Sequence, residues 1–213
     1  MENDPKLALS SRADQDIPPD TDVESEFWRD APSIYLTSDC YGKYVPGHKS
    51  EVRSRWNPEN LYFLFICPYE QLHLKPDPSF EAKTWGLWNW DVAEVFVGLI
   101  GDPIHHYKEF EMSPLGEWLD LSVDLHRPDK IADHSWQSGF KVAARIDSAA
   151  NIWYGCMRIP YTALEQGPAR SGNVLRVNFF RSQGPLPLEL AWQAPQQESF
   201  HAPKRFGHLR LTL

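Results

Sequence analysis

The sequence has little cysteine, no long hydrophobic run and no excess of basic residues. Its three cysteines, Cys40, Cys67 and Cys156, are an odd number without CxxC spacing, so neither a disulfide framework nor a cysteine zinc site is expected. The longest apolar runs, such as residues 61–67, are far shorter than the roughly 20 residues that cross a bilayer. The formal net charge of -8 argues against a nucleic-acid partner and against an anionic membrane surface.

Sequence motifs of several large functional classes are also absent. No basic segment followed by an apolar segment comes after Met1, so we expect a cytoplasmic chain unless this is the trimmed form of an exported protein. The sequence contains no GxSxG, HExxH, GxGxxG or glycine-rich phosphate loop. We therefore expect a non-enzymatic protein without a cofactor.

Short apolar segments between frequent turn signals dominate the 213 residues. The chain has 18 prolines against 12 glycines, and this punctuation disfavours long helices. Residues 1–24 are polar and acidic, so we predict a flexible N-terminal lead-in. Residues 25–213 are of a length that one β-sandwich can fill, since such domains reach roughly 200–250 residues.

Alternation of apolar and polar residues predicts strands through most of the chain. A two-strand hairpin is predicted over residues 52–66, with the turn NPEN between its strands. Further strands are predicted over residues 92–98, 106–112, 117–124, 140–146, 152–159, 174–182, 188–192 and 206–213. This spacing predicts a single all-β domain, an antiparallel β-sandwich of the jelly-roll or immunoglobulin-like kind.

A tryptophan-rich loop is the most informative feature for function. The segment TWGLWNWD, residues 84–91, places three of the nine tryptophans directly before a predicted strand. Loops mostly lie on the surface, where an indole face suits the apolar face of a pyranose ring. We therefore predict a sugar platform, although packing as a lid on the core is an equally simple explanation for any one of these rings. Such stacking predicts micromolar to millimolar dissociation constants, about -8 to -4 kcal/mol.

Polar groups on the predicted strands could accompany the platform. The candidates for hydrogen bonds to sugar hydroxyls are Glu94, Glu111, Asn178 and Arg181. If the strands at 92–98 and 106–112 pair, Glu94 and Glu111 approach each other, and paired carboxylates are also the catalytic groups of glycoside hydrolases. A solvated sheet face on a structural or protein-interaction β-sandwich is a third interpretation.

Two metal-based interpretations are weaker. Haem could lie between a histidine and Met112 or Met157, but the sequence has no CxxCH, and Met112 alternates with Phe110 as a core residue does. The pair His105-His106 is adjacent on a predicted strand, where neighbouring side chains point to opposite faces. It is therefore a poor metal site.

The order of these segments resembles the family 9 carbohydrate-binding module, within the wider group of DOMON-like β-sandwiches. The matching stretches span residues 22–213 and comprise FWRDAP, VRSRWNPENLYFLFI, W-x-W-D-x-x-E-V-F, YKEFEMSPLGEWLDL, RIPYTAL, G-x-x-L-R-V-N-F-F-R, AWQAP and SFHAPKRFGHLRL. The resemblance implies non-catalytic binding of a mono- or oligosaccharide in polysaccharide catabolism. Members of the family can also carry structural calcium, for which this sequence shows no localised ligand set.

The resemblance also implies roles for particular residues. Two aromatic rings hold the sugar between them in the family, and they correspond to Trp88 and Phe200, with Glu94 as the acid on the strand. The chain departs from the family in having Phe at position 200 instead of Trp, and Glu111 where a basic residue is expected. The side chains expected at the rim are those of Trp90, Trp192 and His201.

Overall fold

Strands account for nearly all the regular structure in a computed structural model that describes residues 4–213. Within this range the strands are β1 (Leu7–Arg12), β2 (Ser33–Leu36), β3 (Ser50–Trp56), β4 (Asn60–Pro68), β5 (Val92–Leu99), β6 (His106–Met112), β7 (Trp118–Asp124), β8 (Lys141–Asp147), β9 (Ile152–Pro160), β10 (Val174–Gln183), β11 (Leu188–Ala191) and β12 (Gly207–Thr212). The helical segments in the same range are the 3-10 turns Leu87–Asn89, Tyr161–Leu164 and Pro203–Arg205. The predicted all-β class is confirmed.

The strands form one continuous sheet in the order β7-β6-β5-β10-β12-β1-β3-β4-β9-β8, with β11 beside β10 and β2 beside β3. Consecutive strands in this path are antiparallel except at β1, which runs parallel to both β12 and β3. Among residues 4–213, no helix is long and apolar enough to span a membrane.

The N-terminal segment corrects the prediction of a flexible lead-in over residues 1–24. Residues 1–3 lie outside the described residues, but Leu7–Arg12 forms strand β1 between β12 and β3. Ala8 and Ser10 are buried there, and the Ser54 hydroxyl donates a hydrogen bond of 2.8 Å to Ser10 Oγ. Strand β1 supplies the backbone partners that join the two halves of the sheet, a role that the segment's polar composition conceals.

The two halves of the sheet face each other across the main core. Phe63 on β4 and Phe179 on β10 meet with ring centroids 5.3 Å apart, although three strands separate β4 from β10 along the sheet. At Gly155 on β9, a Cβ would lie 2.7 Å from the Cε atom of Met112 on β6. Side chains from distant strands therefore interdigitate, and Met112 is a core residue as its alternation with Phe110 predicts.

Strand β5 is buried on both of its faces. Ala93, Val95 and Val97 belong to the main core, while Phe96 belongs to a second apolar cluster on the opposite face. That second cluster lies on the outer side of β5, β6, β7 and β10, and loops cover part of it. The candidate site is built on this outer face.

Close backbone packing at Gly207 yields the first prediction. A Cβ at this position would lie 2.5 Å from the Cζ3 atom of Trp192 and 2.7 Å from the carbonyl oxygen of Lys6. Because neither the indole nor the backbone of Lys6 can move away freely, we expect Gly207→Ala to lower the free energy of unfolding by about 1–3 kcal/mol, the usual cost of overpacking. Denaturant unfolding would measure the change.

The matched control for this substitution is Gly167→Ala. No atom of residues 4–213 lies within 4 Å of a Cβ built at Gly167, and its backbone is not in the left-handed region. Its free energy of unfolding should stay within about 0.5 kcal/mol of the parent protein. Equal stability of the two variants would contradict the packing described at Gly207.

Candidate functional site

The floor of the candidate site consists of side chains on the outer face of β5 and its neighbours. Glu94 and Phe96 point to this face from β5, and the strand register places Glu94 opposite Glu111 and Phe96 opposite Glu109 on β6. On the other side of β5, Phe180 of β10 lies opposite Glu94. Acidic and aromatic groups therefore alternate across the floor, as the period of two requires.

Trp88 stands above the floor on a short 3-10 turn, Leu87–Asn89. Leu87 is fully buried in the second apolar cluster and anchors the turn. Gly86, with a φ of 75°, occupies the left-handed region that glycine adopts without strain, and it directs the chain into the turn. The Trp88 side chain then faces outward, with 45% of the residue exposed.

Phe200 lies on the segment that precedes β12. Its ring stacks on Phe180 with centroids 4.2 Å apart and an interplanar angle of 12°. Phe206 is buried in the second apolar cluster and anchors the segment at its C-terminal end. Phe200 is half-buried, so packing fixes the orientation of its ring while part of the ring remains accessible.

Trp88 and Phe200 line one cleft of about 360 Å³. This volume is within the range of about 300–1,000 Å³ that is usual for small-molecule sites. The rest of the lining consists of acidic, small polar and apolar side chains with one lysine and one histidine: Glu94, Phe96, Glu109, Leu121, Val123, Asp129, Lys130, Ile131, Ser182, Glu189, Glu198, Ser199 and His201. The cleft thus combines exposed aromatic surface with many hydrogen-bond acceptors.

Burial changes the acid-base properties of the floor. Burial raises the pKa of Glu109 to about 7. Burial also raises the pKa values of Glu94 and Glu111 well above the usual range, and the negative charges of neighbouring carboxylates raise these two pKa values further. Burial lowers the pKa of His201 to about 4. The His201 imidazole is therefore neutral at pH 7, so its Nδ1, 4.0 Å from Glu109 Oε2, does not form an ion pair. The Tyr107 hydroxyl lies 2.5 Å from the same Nδ1.

The structure brings together four of the nine predicted site residues. Trp88, Glu94, Phe200 and His201 come from three separate segments and line the same cleft. Glu111 lies beside Glu94 as predicted, but it is completely buried and does not line the cleft. Glu94 thus lines the cleft, whereas its cross-strand neighbour Glu111 is enclosed.

The other four predicted site residues have structural contacts instead, and their proposed place in the cleft is corrected. Arg181 is fully buried on the face of β10 opposite to Phe180, where its Nη1 donates to Ser50 Oγ at 2.8 Å. The Asn178 side-chain amide is also buried. Its Nδ2 donates a hydrogen bond to the backbone carbonyl of Gln193, and its Oδ1 accepts one from the backbone N–H of the same residue. Both side chains are thus buried within the protein and do not line the cleft.

The two tryptophans predicted at the rim are likewise elsewhere. Trp90 packs on the imidazole of His73 with centroids 4.5 Å apart. Trp192 packs beside Phe179 at the edge of the main core, with centroids 5.9 Å apart. Neither lines the cleft. Composition alone does not distinguish such packing tryptophans from exposed ones.

Sequence reasoning missed several lining residues. The alternation places Glu109 on the same face of β6 as Glu111, although Glu109 was not among the predicted sugar-binding residues. Phe96 shares the face of Glu94 on β5, so the same pattern could have identified it. Others come from segments without a strong pattern and meet only in three dimensions; these are Asp129, Lys130, Ser182, Glu189 and Glu198.

Comparison with known proteins places the fold. No family model matches the sequence. Endo-1,4-beta-xylanase A of Thermotoga neapolitana is 22% identical over 192 residues, which are 87% of this chain but 16% of the xylanase. The chain therefore spans about a sixth of the length of the curated relative that it matches.

Solved structures resemble the chain over nearly its whole length. A Bacteroides uniformis protein provisionally described as carbohydrate-binding has a TM-score of 0.77 at 16% identity, covering 96% of this chain and 98% of its own. Family 9 carbohydrate-binding modules from Caldicellulosiruptor kristjanssonii, solved with cellotriose and with glucose, have TM-scores of 0.64 and 0.65 at 12% identity. They cover 97% of this chain and 93% and 95% of their own. The chain has the fold of a family 9 module.

Proposed function

We propose that this chain is a non-catalytic carbohydrate-binding domain that holds a mono- or oligosaccharide between Trp88 and Phe200. The observation that carries the proposal is that these two rings, predicted from distant segments, line the same cleft together with Glu94 and His201. An indole or phenyl face covers the apolar face of a pyranose, and the carboxylates and serine hydroxyls of the lining bind its hydroxyl groups. The solved modules of the same fold with cellotriose and glucose support this class of ligand.

The architecture supporting this site is, we infer, a β-sandwich. Its two layers are the halves of the sheet on either side of β1, and the contact between Phe63 and Phe179 lies between the layers. The similarity to a segment of a xylanase supports a role in polysaccharide catabolism, in which such a domain would direct an enzyme to its substrate.

The alternative functions find less support in the geometry. A two-carboxylate hydrolase needs both acids beside the sugar, and Glu111 is fully buried behind the cleft lining. Haem ligation would require Met112 or Met157 to reach a cavity, and both are buried in the main core. A purely structural role does not explain why the Trp88 ring is exposed beside a polar cleft.

Sugar titration tests the proposal directly. We expect glucose, xylose, cello-oligosaccharides or xylo-oligosaccharides to change the intrinsic tryptophan fluorescence saturably, with a dissociation constant between about 1 μM and 1 mM. Galactose and sucrose at equal concentrations serve as comparison ligands. No saturable response to any sugar in the panel would contradict the proposal and favour a protein-interaction module.

A further inference from the structure

Three glutamates at the floor of the cleft form a compact cluster. Glu94 and Glu111 are direct cross-strand neighbours, and Glu109 is two residues before Glu111 on the same face of β6. One carboxylate oxygen from each lies within 4.8 Å of the others, and all three residues are buried. Because all three stand on paired strands, the backbone holds their spacing.

Within residues 4–213 the cluster has no cationic side chain in direct contact; Lys130 lines the same cleft but forms no salt bridge with the three glutamates. Both carboxylate oxygens of Glu111 and Oε2 of Glu109 are buried and have no hydrogen-bond donor there. In the same range no lysine or arginine nitrogen lies within 4.0 Å of the three carboxylates. The nearest histidine nitrogen, Nδ1 of His201, is 4.0 Å from Oε2 of Glu109. Burying several carboxylates without a donor or a cation is costly. The fully buried, unpartnered Glu111 therefore points to a missing positive group.

The spacing of the oxygens suits a calcium ion. Oxygen ligands bind Ca²⁺ at about 2.3–2.6 Å, so two ligands on opposite sides of the ion are at most about 4.6–5.2 Å apart. The three glutamate oxygens lie within this limit. Mg²⁺ needs ligands at about 2.0–2.1 Å in near-octahedral geometry and usually keeps several of its waters, so a cluster of three protein carboxylates favours Ca²⁺.

We propose that Glu94, Glu109 and Glu111 bind one divalent cation, with Ca²⁺ favoured, at the floor of the cleft. Glu94 and Glu109 line the cleft, so an ion can enter from it, whereas Glu111 is accessible only from within the cluster. This difference favours a small ion over a sugar amine, because an amine attached to a ring in the cleft would not reach Glu111. Water or a ligand hydroxyl completes the coordination on the side of the cleft.

Calorimetric titration of the EDTA-treated and dialysed chain with CaCl₂, without sugar, tests this proposal. We expect one binding site, and a melting temperature that rises with CaCl₂ because the ion binds only the folded chain. Glu111→Gln keeps the size of the side chain and should weaken Ca²⁺ binding at least about tenfold, since affinity depends on the number of charged ligands. Glu81→Gln, which changes an exposed acid outside both the cleft and the cluster, should leave the affinity unchanged.

Three outcomes would overturn the proposal. They are no heat and no thermal shift with CaCl₂, undiminished affinity in Glu111→Gln, or binding of glucosamine instead of Ca²⁺, which would assign the cluster to a cationic ligand. Undiminished Ca²⁺ affinity in Glu111→Gln would indicate that the ion binds elsewhere. The other group of residues in the described range that could hold a cation comprises His105, His106 and Asp124. If Glu111→Gln does not fold in EDTA, Glu94→Gln replaces it. Because no sugar is present, failure here leaves the carbohydrate proposal standing.

Discussion

Replacing Trp88 by alanine is expected to weaken sugar binding at least about tenfold, a loss of about 1.4 kcal/mol or more. Trp88 is 45% exposed and lines the cleft, so its ring is available to a ligand and contributes little to the core. The fold should be unaffected because Leu87, and not Trp88, anchors the turn. Calorimetry with the sugar that binds best measures the effect without depending on the fluorescence of the removed residue.

The same loop offers a closely matched control. Trp85 is also 45% exposed, but it packs against His134 with centroids 5.5 Å apart and does not line the cleft. Trp85→Ala should therefore retain the parent affinity. A similar loss in both variants would mean that the loop acts through its overall structure. Undiminished binding in Trp88→Ala would place the sugar elsewhere.

Replacing Phe179 by alanine is expected to cost about 3–5 kcal/mol of unfolding free energy, the usual loss for a fully buried phenylalanine. The ring contacts Phe63 and Phe65 of β4 and Trp192 beside β11, so its removal leaves a cavity between the two halves of the sheet. Chemical denaturation followed by circular dichroism measures the change. Tryptophan fluorescence provides a second probe of the same transition.

An exposed residue serves as the comparison for Phe179. Leu186 is 88% exposed, and Leu186→Ala should change the unfolding free energy by less than about 0.5 kcal/mol. A double-mutant cycle of Phe63→Ala and Phe179→Ala should show coupling, because the two rings share one contact. Additive losses, or a cost near 1 kcal/mol at Phe179, would contradict close packing of the two halves.

The strands were predictable because their patterns are local. The predicted strand at residues 106–112 coincides with β6, and those at 92–98 and 152–159 differ from β5 and β9 by one residue at one end. Apolar alternation and turn residues act over a few positions, so they can be identified from neighbouring residues alone. Strands β1 and β2 were not predicted because they are short and are polar or half-exposed. Their position in the sheet depends on partners that are distant in the sequence.

The candidate site was predictable only in part. Trp88, Glu94, Phe200 and His201 are together in the cleft, as the aromatic loop and the family resemblance led us to expect. Composition alone could not show that Arg181 lies outside the cleft. One residue along β10 moves a side chain to the opposite face of the sheet, and Arg181 lies on the core side while Ser182 lines the cleft.

The sequence by itself determined the all-β class, most of the strands and the aromatic and acidic residues that could contact a sugar. The tertiary structure decided which of those residues share a cleft, that β1 joins the two halves of the sheet, and that Glu94, Glu109 and Glu111 converge into one buried cluster. The physical reason is the range of the interactions involved. Strand formation follows from neighbouring residues, whereas a cleft and a buried charge cluster depend on the register and packing of strands far apart in the chain.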